Sequence, residues 1–355
     1  MTGDRPLPGL ATPAYDDSPL LTVSELRRHY YARSRRLFAS RQTIRAVDDV
    51  SFNLYEGETL GLVGESGSGK STLGRQLVGL ERPTAGSIHY RGHVLSRLDA
   101  REMAPIRTDL QMIFQDAYAS LNPRKPIFDI LAAPLLYHRL ETRKTVERRV
   151  DELLAMVGLA AGAKARYPHE FSGGQRQRLG IARAISVKPR VIVCDEPVSA
   201  LDVSIQAQIL NLLLDLQDEL GLTYLFIGHG LPVVNYMSDR IAVMYLGKIV
   251  ELAPAEELFR RPLHPYTRAL IAAAPVPDPR LRRSDVELLE GDIASNVTPP
   301  GGCSFHPRCP LAEAGCRLEE PALTMVRSYG ERPADRHLLA CPVAARDLMT
   351  KEAVT

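Results

Sequence analysis

Short apolar runs alternate with segments of helical apolar spacing over most of the first 255 residues. The apolar runs predict strands at residues 20–23, 46–54, 59–63, 191–194, 224–227 and 241–245. The helical spacing predicts helices from Ser71 onward and over 141–159, 176–185 and 203–220. Uninterrupted apolar runs are typical of strands covered on both faces, so the pattern predicts an α/β fold with a mostly parallel sheet between helices.

The sequence pattern changes after Pro254, where proline- and arginine-rich stretches replace the apolar runs. We therefore predict three regions. They are a poorly ordered tail over residues 1–20, an elaborated α/β domain over 21–255, and a C-terminal extension over 256–355 that contains four cysteines. A small helical subdomain is expected within the α/β domain at about residues 116–180.

Composition is that of an ordinary globular protein, with 45% hydrophobic and 24% charged residues. The 44 basic residues nearly balance the 42 acidic ones, which removes any global electrostatic argument for a nucleic-acid partner. No stretch approaches the roughly 18 apolar residues that span a bilayer. The N-terminal segment lacks the apolar core of a secretory signal, so we expect a cytoplasmic protein.

A glycine-rich loop separates the strand predicted at 59–63 from the helix that follows. Residues 64–71 fit the pattern G-x-x-x-x-G-K-[ST], and we call them the phosphate loop. In this pattern backbone N–H groups surround phosphates, the lysine reaches the β- and γ-phosphates, and the serine hydroxyl ligates Mg²⁺. A simple turn would explain the glycines but not Lys70 and Ser71. The predicted ATP contacts are Gly64, Ser66, Gly67, Gly69, Lys70, Ser71 and Thr72.

Two acidic residues, Asp195 and Glu196, follow the strand predicted at 191–194. Parallel sheets bind ligands at the carboxyl ends of their strands. We predict that Asp195 holds Mg²⁺ and that Glu196 orients or deprotonates the water that attacks the γ-phosphate. Alone, the pair is better explained as solvated acids before a helix, and the phosphate loop upstream reverses that preference. Cys194 is interpreted as a small core residue.

Residues 171–175, the FSGGQ segment, precede the helix predicted at 176–185. By itself the segment is explained by Ser172 as a helix N-cap and by the glycines as a turn. Together with the phosphate loop, Gln115, the acidic pair and His229, it follows the order and approximate spacing of the ATP-binding cassette (ABC) family. The resemblance covers residues 21 to about 255. It implies a P-loop NTPase core of the RecA-like type with added antiparallel β and helical subdomains.

The family resemblance also implies a head-to-tail dimer in which two cassettes enclose two nucleotides. The FSGGQ segment of one subunit would bind the γ-phosphate held by the phosphate loop of the other. Bare glycines at a helix N-terminus suit the close approach of an anion. The residues expected to reach nucleotide across the interface are Ser172, Gly173, Gly174, Gln175 and Asp202.

Several single residues take their roles from the same resemblance. Tyr30 resembles the aromatic residue that stacks on adenine, with Tyr31 as the alternative and ordinary burial as the competing explanation. Gln115 resembles the glutamine that touches Mg²⁺ and relays the nucleotide state to a membrane partner. His229 resembles the histidine that hydrogen-bonds the γ-phosphate, although the family usually has Ser-His-Asp and this chain has glycine on both sides. The implied catalytic residues are Glu196, His229 and Gln115, and the implied Mg²⁺ ligands are Ser71, Gln115 and Asp195.

Two classes of function remain, a membrane-transport ATPase and an ABC protein that acts on nucleic acid or ribosomes. The insertion between Lys70 and Ser172 is too short for the long coiled coil of chromosome-maintenance ATPases, and the cassette is not duplicated. Residues 114–124 and 258–268 are similar to those of ATPase subunits of bacterial dipeptide and oligopeptide importers. We therefore expect an ATPase that powers peptide import, with a nickel complex or a sugar as alternative solutes.

The importer resemblance implies partners on other chains. They are a second ABC ATPase subunit, a sister chain being favoured over a copy, two transmembrane permease subunits, and an extracytoplasmic binding protein that selects the solute. The implied location is peripheral, on the cytoplasmic face of the bacterial inner membrane. No nucleic-acid partner is expected, and the arginine-rich run at 27–45 is interpreted as a solvated loop.

Four of the 5 cysteines lie in the extension, at Cys303, Cys309, Cys316 and Cys341. A reducing cytoplasm disfavours disulfides, and free thiols are the other simple explanation. A metal staple suits a segment with little core of its own. The spacing lacks the short C-x₂₋₄-C knuckles of zinc sites, and some peptide-importer ATPases carry a [4Fe–4S] cluster here. The resemblance therefore favours a structural iron–sulfur cluster, with Zn²⁺ as the alternative.

Overall fold

The computed structural model describes residues 18–32, 42–273 and 295–352, so most of the predicted N-terminal tail lies outside the described residues. The strands are β1 (Leu21–Ala32), β2 (Gln42–Leu54), β3 (Thr59–Val63), β4 (Ala85–Tyr90), β5 (His93–Val94), β6 (Leu110–Ile113), β7 (Val191–Asp195), β8 (Thr223–Ile227), β9 (Arg240–Tyr245), β10 (Lys248–Pro254), β11 (Thr324–Ser328) and β12 (Arg336–Leu339). The helices are α1 (Lys70–Leu77), α2 (Ala100–Asp109), α3 (Ala117–Ser120), α4 (Ile127–Tyr137), α5 (Val146–Met156), α6 (Gly173–Ser186), α7 (Val203–Leu220), α8 (Leu231–Met237), α9 (Ala255–Arg260), α10 (Pro265–Ala273) and α11 (Pro342–Glu352).

The larger sheet has the strand order β11-β12-β10-β9-β3-β8-β7-β6. Its five strands from β9 to β6 are mutually parallel. Strands β3, β7, β8 and β9 are buried along their whole length, as their uninterrupted apolar sequences predict. The parallel arrangement places the carboxyl ends of β3, β6, β7 and β8 at one edge of the sheet, which is where the candidate site lies.

The smaller sheet is antiparallel, with the order β2-β1-β4-β5. The strands predicted at 20–23 and 46–54 are too short, because β1 and β2 stay paired out to Ala32 and Gln42. Their register shifts at several points, and Glu25 adopts a φ of 49°. Such irregularities break the alternation of polar and apolar positions that identifies a strand in the sequence. Part of the arginine-rich run is therefore strand rather than loop, and residues 33–41 lie outside the described residues.

Helices α3 to α6 contain the region predicted as the helical subdomain. The helix predicted at 203–220 is confirmed as α7, and the one predicted at 141–159 is shorter, as α5. Helix α6 begins at Gly173, three residues earlier than predicted, because Ser172 caps it. The Ser172 hydroxyl accepts the Gln175 N–H at 3.3 Å, and the Ser172 N–H donates to the Gln175 side chain at 3.1 Å. None of the described helices has the length and apolarity needed to cross a membrane.

The C-terminal extension adds strands to the larger sheet instead of forming a separate unit. Strand β12 pairs with β10 through Glu251 and Leu339. The buried Glu251 carboxylate accepts the N–H groups of Leu263 at 2.8 Å and His264 at 3.0 Å, and it lies 2.7 Å from the buried His337 Nε2. Burial lowers the pKa of His264 to about 4, so this ring is neutral at physiological pH. Glu251 thus joins three separate segments of the chain.

Glu251→Ala is expected to lower the free energy of unfolding by about 3–5 kcal/mol, because several buried polar groups lose their common acceptor. Urea unfolding of the purified chain, followed by circular dichroism, measures the change. Glu256→Ala is the matched control, since Glu256 is an exposed glutamate on the neighbouring helix α9. A control-sized effect at Glu251 would show that this carboxylate does not hold the extension to the sheet.

Candidate functional site

The phosphate loop joins strand β3 to helix α1 and is compressed against neighbouring backbone. Gly64 and Gly69 adopt φ values of 154° and 105°. A Cβ atom at Gly64 would lie 2.1 Å from the carbonyl oxygen of Met244, and one at Gly69 would lie 1.9 Å from that of Ala46. Only glycine fits at either position. By contrast, a Cβ atom at Gly67 would meet nothing within 4 Å, so the loop is open on that side.

Lys70 is buried at the start of α1 and points back across the phosphate loop. Its Nζ donates to the carbonyl oxygens of Gly64 at 2.8 Å and Glu65 at 3.0 Å. Burial lowers the pKa of Lys70, and the carboxylates of Glu196, Asp195 and Glu65 oppose that shift. The loop therefore holds a cation where phosphate oxygens could replace its carbonyl partners. Ser66 is exposed on the same loop, and Thr72 is buried behind it.

Ser71 and Asp195 meet although they are distant in the sequence. The Ser71 hydroxyl donates to Asp195 Oδ1 at 2.8 Å, because α1 begins beside the carboxyl end of β7. Burial raises the pKa of Asp195, and the hydrogen bond from Ser71 opposes that shift. Mg²⁺ in nucleotide sites takes few protein ligands and completes its octahedron with waters and phosphate oxygens. One hydroxyl and one carboxylate beside a phosphate loop fit that requirement.

Glu196, Gln115 and His229 come together at the ends of the adjacent strands β7, β6 and β8. The Gln115 amide donates to Glu196 Oε2 at 2.9 Å, and His229 Nδ1 lies 3.6 Å from the same oxygen. Glu196 adopts a left-handed φ of 46°. The arrangement places a carboxylate, an amide and an imidazole beside the phosphate loop, which is suited to positioning a water molecule. Gly228 precedes His229, at the position where the family usually has serine. A Cβ atom at Gly228 would lie 2.6 Å from the Val234 side chain, so glycine fits this position without a shift of that side chain.

The FSGGQ segment lies at the exposed N-terminus of α6. A Cβ atom at Gly174 would lie 2.5 Å from Ile205 and one at Gly173 would lie 3.5 Å from Leu201, so the segment packs beside the start of α7. Asp202, at the N-cap of α7, is also exposed. No hydrogen bond or ion pair among the described residues joins residues 172–175 or Asp202 to the phosphate loop. Within one chain, the FSGGQ segment and the phosphate loop are therefore not joined by a polar contact among the described residues.

Tyr30 is engaged by side chains on one face of the smaller sheet. Its hydroxyl donates to the Glu81 carboxylate, which also accepts Arg75 Nε at 2.7 Å. The Arg28 guanidinium lies 4.6 Å from the centre of the Tyr30 ring. Tyr31 is 60% exposed. These are packing contacts of a half-buried side chain, and the stacking of Tyr30 on adenine stays a prediction.

The four cysteines of the extension line one cavity of about 460 Å³. Burial raises the pKa of Cys303, Cys341 and Cys309, the last to about 11. Among residues 18–32, 42–273 and 295–352, however, no three His, Cys, Asp or Glu side chains are grouped so as to hold a metal ion. The thiols thus share a cavity without forming the coordination sphere of a single ion. Cys194 lies apart from them, fully buried in β7.

Three residues of the extension reach the phosphate loop, and sequence reasoning missed all of them. Tyr266, Asn296 and Arg308 each make a polar contact with residues 65–67. Tyr266 lies in the first turn of α10, within residues 258–268, whose only use in the sequence analysis was the resemblance to peptide-importer subunits. The sequence offers no spacing signal that would join these residues to the loop.

Two family models match the chain. A model described as ABC transporter matches residues 47–199. A second, described as oligopeptide/dipeptide transporter, C-terminal region, matches residues 250–316. The first contains the phosphate loop, Gln115, the FSGGQ segment and the acidic pair, and the second contains Tyr266, Arg308 and three of the four clustered cysteines.

Curated relatives and solved structures agree with these matches. The chain is 50% identical over 308 residues to an oligopeptide transport ATP-binding protein of Salmonella typhimurium, covering 86% of this chain and 92% of that one. It is 48% identical over 326 residues to a dipeptide transport ATP-binding protein of Haemophilus influenzae, covering 92% and 97%. The solved dimer of an ATP-binding cassette bound to ADP and Pi has a TM-score of 0.59 at 28% identity, covering 66% of this chain and 98% of the other.

Proposed function

Because the chain belongs to the ABC transporter ATP-binding proteins, in the branch of the oligopeptide and dipeptide transport subunits, we propose that its ATPase activity powers peptide import across a bacterial cytoplasmic membrane. The ATPase part of this proposal rests on one observation, that two pairs of polar side chains meet at the same edge of the sheet, beside the phosphate loop. Ser71 meets Asp195 at 2.8 Å, and Gln115 meets Glu196 at 2.9 Å. The 50% and 48% identical relatives are named for oligopeptides and dipeptides, which favours peptides over a nickel complex or a sugar.

ATP is the substrate, and each group in the site has a proposed role. The phosphate loop and Thr72 bind the phosphates, with Lys70 supplying the positive charge. Ser71, Asp195 and Gln115 would hold Mg²⁺, which supplies charge neutralisation at the β- and γ-phosphate oxygens. Glu196 orients the attacking water and accepts its proton, with Gln115 and His229 fixing the carboxylate and the γ-phosphate geometry.

A second cassette would complete the site. Ser172, Gly173, Gln175 and Asp202 are exposed and Gly174 is half-buried. Within the described part of the chain, none of the five makes a polar contact with the phosphate loop of its own chain, which supports their use on the nucleotide of a partner subunit. A solved relative of the cassette fold is itself a dimer. We propose that the partner is a sister chain, that two permease subunits and an extracytoplasmic binding protein complete the importer, and that the chain is peripheral on the cytoplasmic face of the membrane.

Purification of the intact membrane complex tests the proposed solute. A tag on this chain should retain a second cassette and two permeases, and ATP hydrolysis in the reconstituted complex should rise when a peptide-loaded binding protein is added. Stimulation by a nickel complex or a sugar, with none by peptides, would replace the proposed solute while keeping the ATPase. Retention of ribosomes or nucleic acid in place of permeases would overturn the transport function.

The four cysteines are proposed as ligands of a structural iron–sulfur cluster. The Ala344 N–H donates to Cys341 Sγ at 3.5 Å. Such hydrogen bonds stabilise thiolate ligands. A single Zn²⁺ needs every sulfur within about 2.3 Å of one point. The observation that supports a cluster is that the four cysteines line one cavity.

Cys309→Ser is expected to abolish iron binding and to expose the extension to protease, because one of four ligands is lost. Anaerobically purified wild type should be brown and contain about four irons per chain. Metal analysis and limited proteolysis measure both effects, with Cys194→Ala as a control that keeps all four ligands. Colourless wild type with stoichiometric zinc would change the metal and keep the ligands. If wild type contains no metal and Cys309→Ser is as resistant to protease as wild type, the cysteines are not a metal site.

A further inference from the structure

Polar side chains of the C-terminal extension form hydrogen bonds with residues 65–67, in the first half of the phosphate loop. The Glu65 backbone N–H donates to the Tyr266 hydroxyl at 2.9 Å. Two guanidinium nitrogens of Arg308 donate to the two Glu65 carboxylate oxygens, at 3.0 and 3.2 Å. The Asn296 amide donates to the Gly67 carbonyl oxygen at 2.8 Å. Residues far downstream in the chain therefore fix both the backbone and the side chain of this loop.

The contacts of Tyr266 and Arg308 with Glu65 are partly shielded from water, which makes them effective in setting geometry. The Arg308 side chain is 7% exposed and that of Glu65 is 22% exposed. A planar guanidinium paired with both oxygens of a carboxylate fixes orientation as well as distance. Tyr266 is fully buried, with its ring 4.7 Å from that of Tyr245 and 5.5 Å from that of Phe305. Its hydroxyl is consequently held in place by an aromatic cluster.

Glu65, which is held by Tyr266 and Arg308, also contacts Lys70. Lys70 Nζ donates to the Glu65 carbonyl oxygen at 3.0 Å, on the opposite end of the residue whose N–H meets Tyr266. A shift of the Glu65 backbone would therefore move both the loop amides and the lysine partner. Small displacements of binding groups have large effects on affinity and rate, since these depend on pre-set geometry.

We infer that Arg308 and Tyr266 are positioning residues for ATP, holding Glu65 so that the phosphate loop and Lys70 are set for the phosphates. The inference rests on the proposed ATP-binding function of the loop and extends it to the extension, which carries no cassette motif. It also links the cysteine segment to the nucleotide, because Arg308 directly precedes Cys309. The competing explanation is that the same contacts only dock the extension onto the cassette.

A double-mutant cycle on the full chain separates the two explanations. Arg308→Ala is expected to weaken binding of MgATP by roughly 5- to 20-fold, within the range of coupling between contacting residues. Arg308→Lys should restore part of the loss, because it keeps the charge and loses the two-point contact. In a Glu65→Ala background, Arg308→Ala should have no further effect on ATP affinity, since it acts through Glu65. Equilibrium binding of a fluorescent ATP analogue measures the ATP affinity of wild type, of the two single alanine variants and of the double variant.

Two further variants keep the result interpretable. Tyr266→Phe removes only the hydroxyl that accepts the Glu65 N–H, so it should fold and still weaken MgATP binding by roughly 3- to 10-fold. Arg346→Ala breaks an exposed ion pair with Glu313 elsewhere in the extension and should leave ATP affinity unchanged.

The inference is overturned if Arg308→Ala and Tyr266→Phe bind MgATP within twofold of wild type. It is equally overturned if Arg308→Ala weakens binding by the same factor with and without the Glu65 carboxylate. Wild-type binding that is lost in Lys70→Ala establishes the ATP site independently of either result. Absence of MgATP binding by wild type would instead overturn the proposed function.

Discussion

Glu196→Gln is expected to lower ATP turnover of the assembled transporter by about 10²- to 10⁴-fold, which is the usual contribution of one positioned acid–base group. Glutamine has the size of glutamate, and its carbonyl oxygen can still accept the hydrogen bond that Gln115 donates at 2.9 Å. The variant should therefore keep the site geometry and lose only the proton acceptor. Steady-state phosphate release measures the turnover, and equilibrium binding should show near wild-type ATP affinity.

Blocked hydrolysis should also accumulate the ATP-bound pair of cassettes, which size-exclusion chromatography in MgATP would detect. Glu219→Gln is the matched control, because Glu219 is an exposed glutamate on α7. It should turn over ATP like wild type. Unchanged turnover in Glu196→Gln would show that Glu196 has no catalytic role. Of the acidic pair, only Asp195 would then keep a proposed role in the site.

Lys70→Ala is expected to weaken binding of ATP itself, by roughly 10- to 150-fold, the effect of losing a charged hydrogen-bond donor. The buried ammonium is held by the Gly64 and Glu65 carbonyl oxygens in the same loop that would receive the phosphates. A binding titration with a fluorescent ATP analogue gives the ratio directly. Lys144→Ala, at an exposed lysine of the helical region, is the control and should bind like wild type. Equal affinity in the two variants would contradict the assignment of residues 64–71 as the phosphate loop.

The two variants should differ in kind as well as in size. Glu196→Gln should spare binding and stop the chemical step, whereas Lys70→Ala should weaken binding and thereby lower turnover at subsaturating ATP. A residue whose role was only to maintain the fold would lower both in proportion to its loss of stability. Comparing the binding constant with the turnover at saturating ATP therefore distinguishes the two roles.

The central strands could be predicted from the sequence because tertiary structure reinforces the local pattern there. Strands β3 and β7 are buried along their whole length, and each has a polar residue only at one end, Thr59 and Asp195. The smaller sheet was predicted less well. Its strand β1 carries register shifts after Val23 and after Leu26, and each shift reverses which face a side chain occupies.

The grouping of Gln115, Glu196 and His229 could be predicted because the motifs are local and the strands are parallel. Each of Gln115, Glu196 and His229 directly follows or lies close to a strand end, and parallel neighbours bring such ends together. The contacts made by the extension follow no such rule. Tyr266 and Arg308 lie 201 and 243 residues from Glu65 along the chain, so no local pattern joins them to the phosphate loop.

The most direct measurement is peptide uptake into proteoliposomes that contain the permeases, the sister cassette and this chain, with binding protein outside and MgATP inside. Uptake of a labelled oligopeptide is expected with wild type and should require ATP. Replacing this chain alone by Glu196→Gln should reduce uptake together with phosphate release, while ATP binding remains. Undiminished peptide uptake with Glu196→Gln, or ATP hydrolysis that never responds to peptide, would contradict a peptide importer powered at this site.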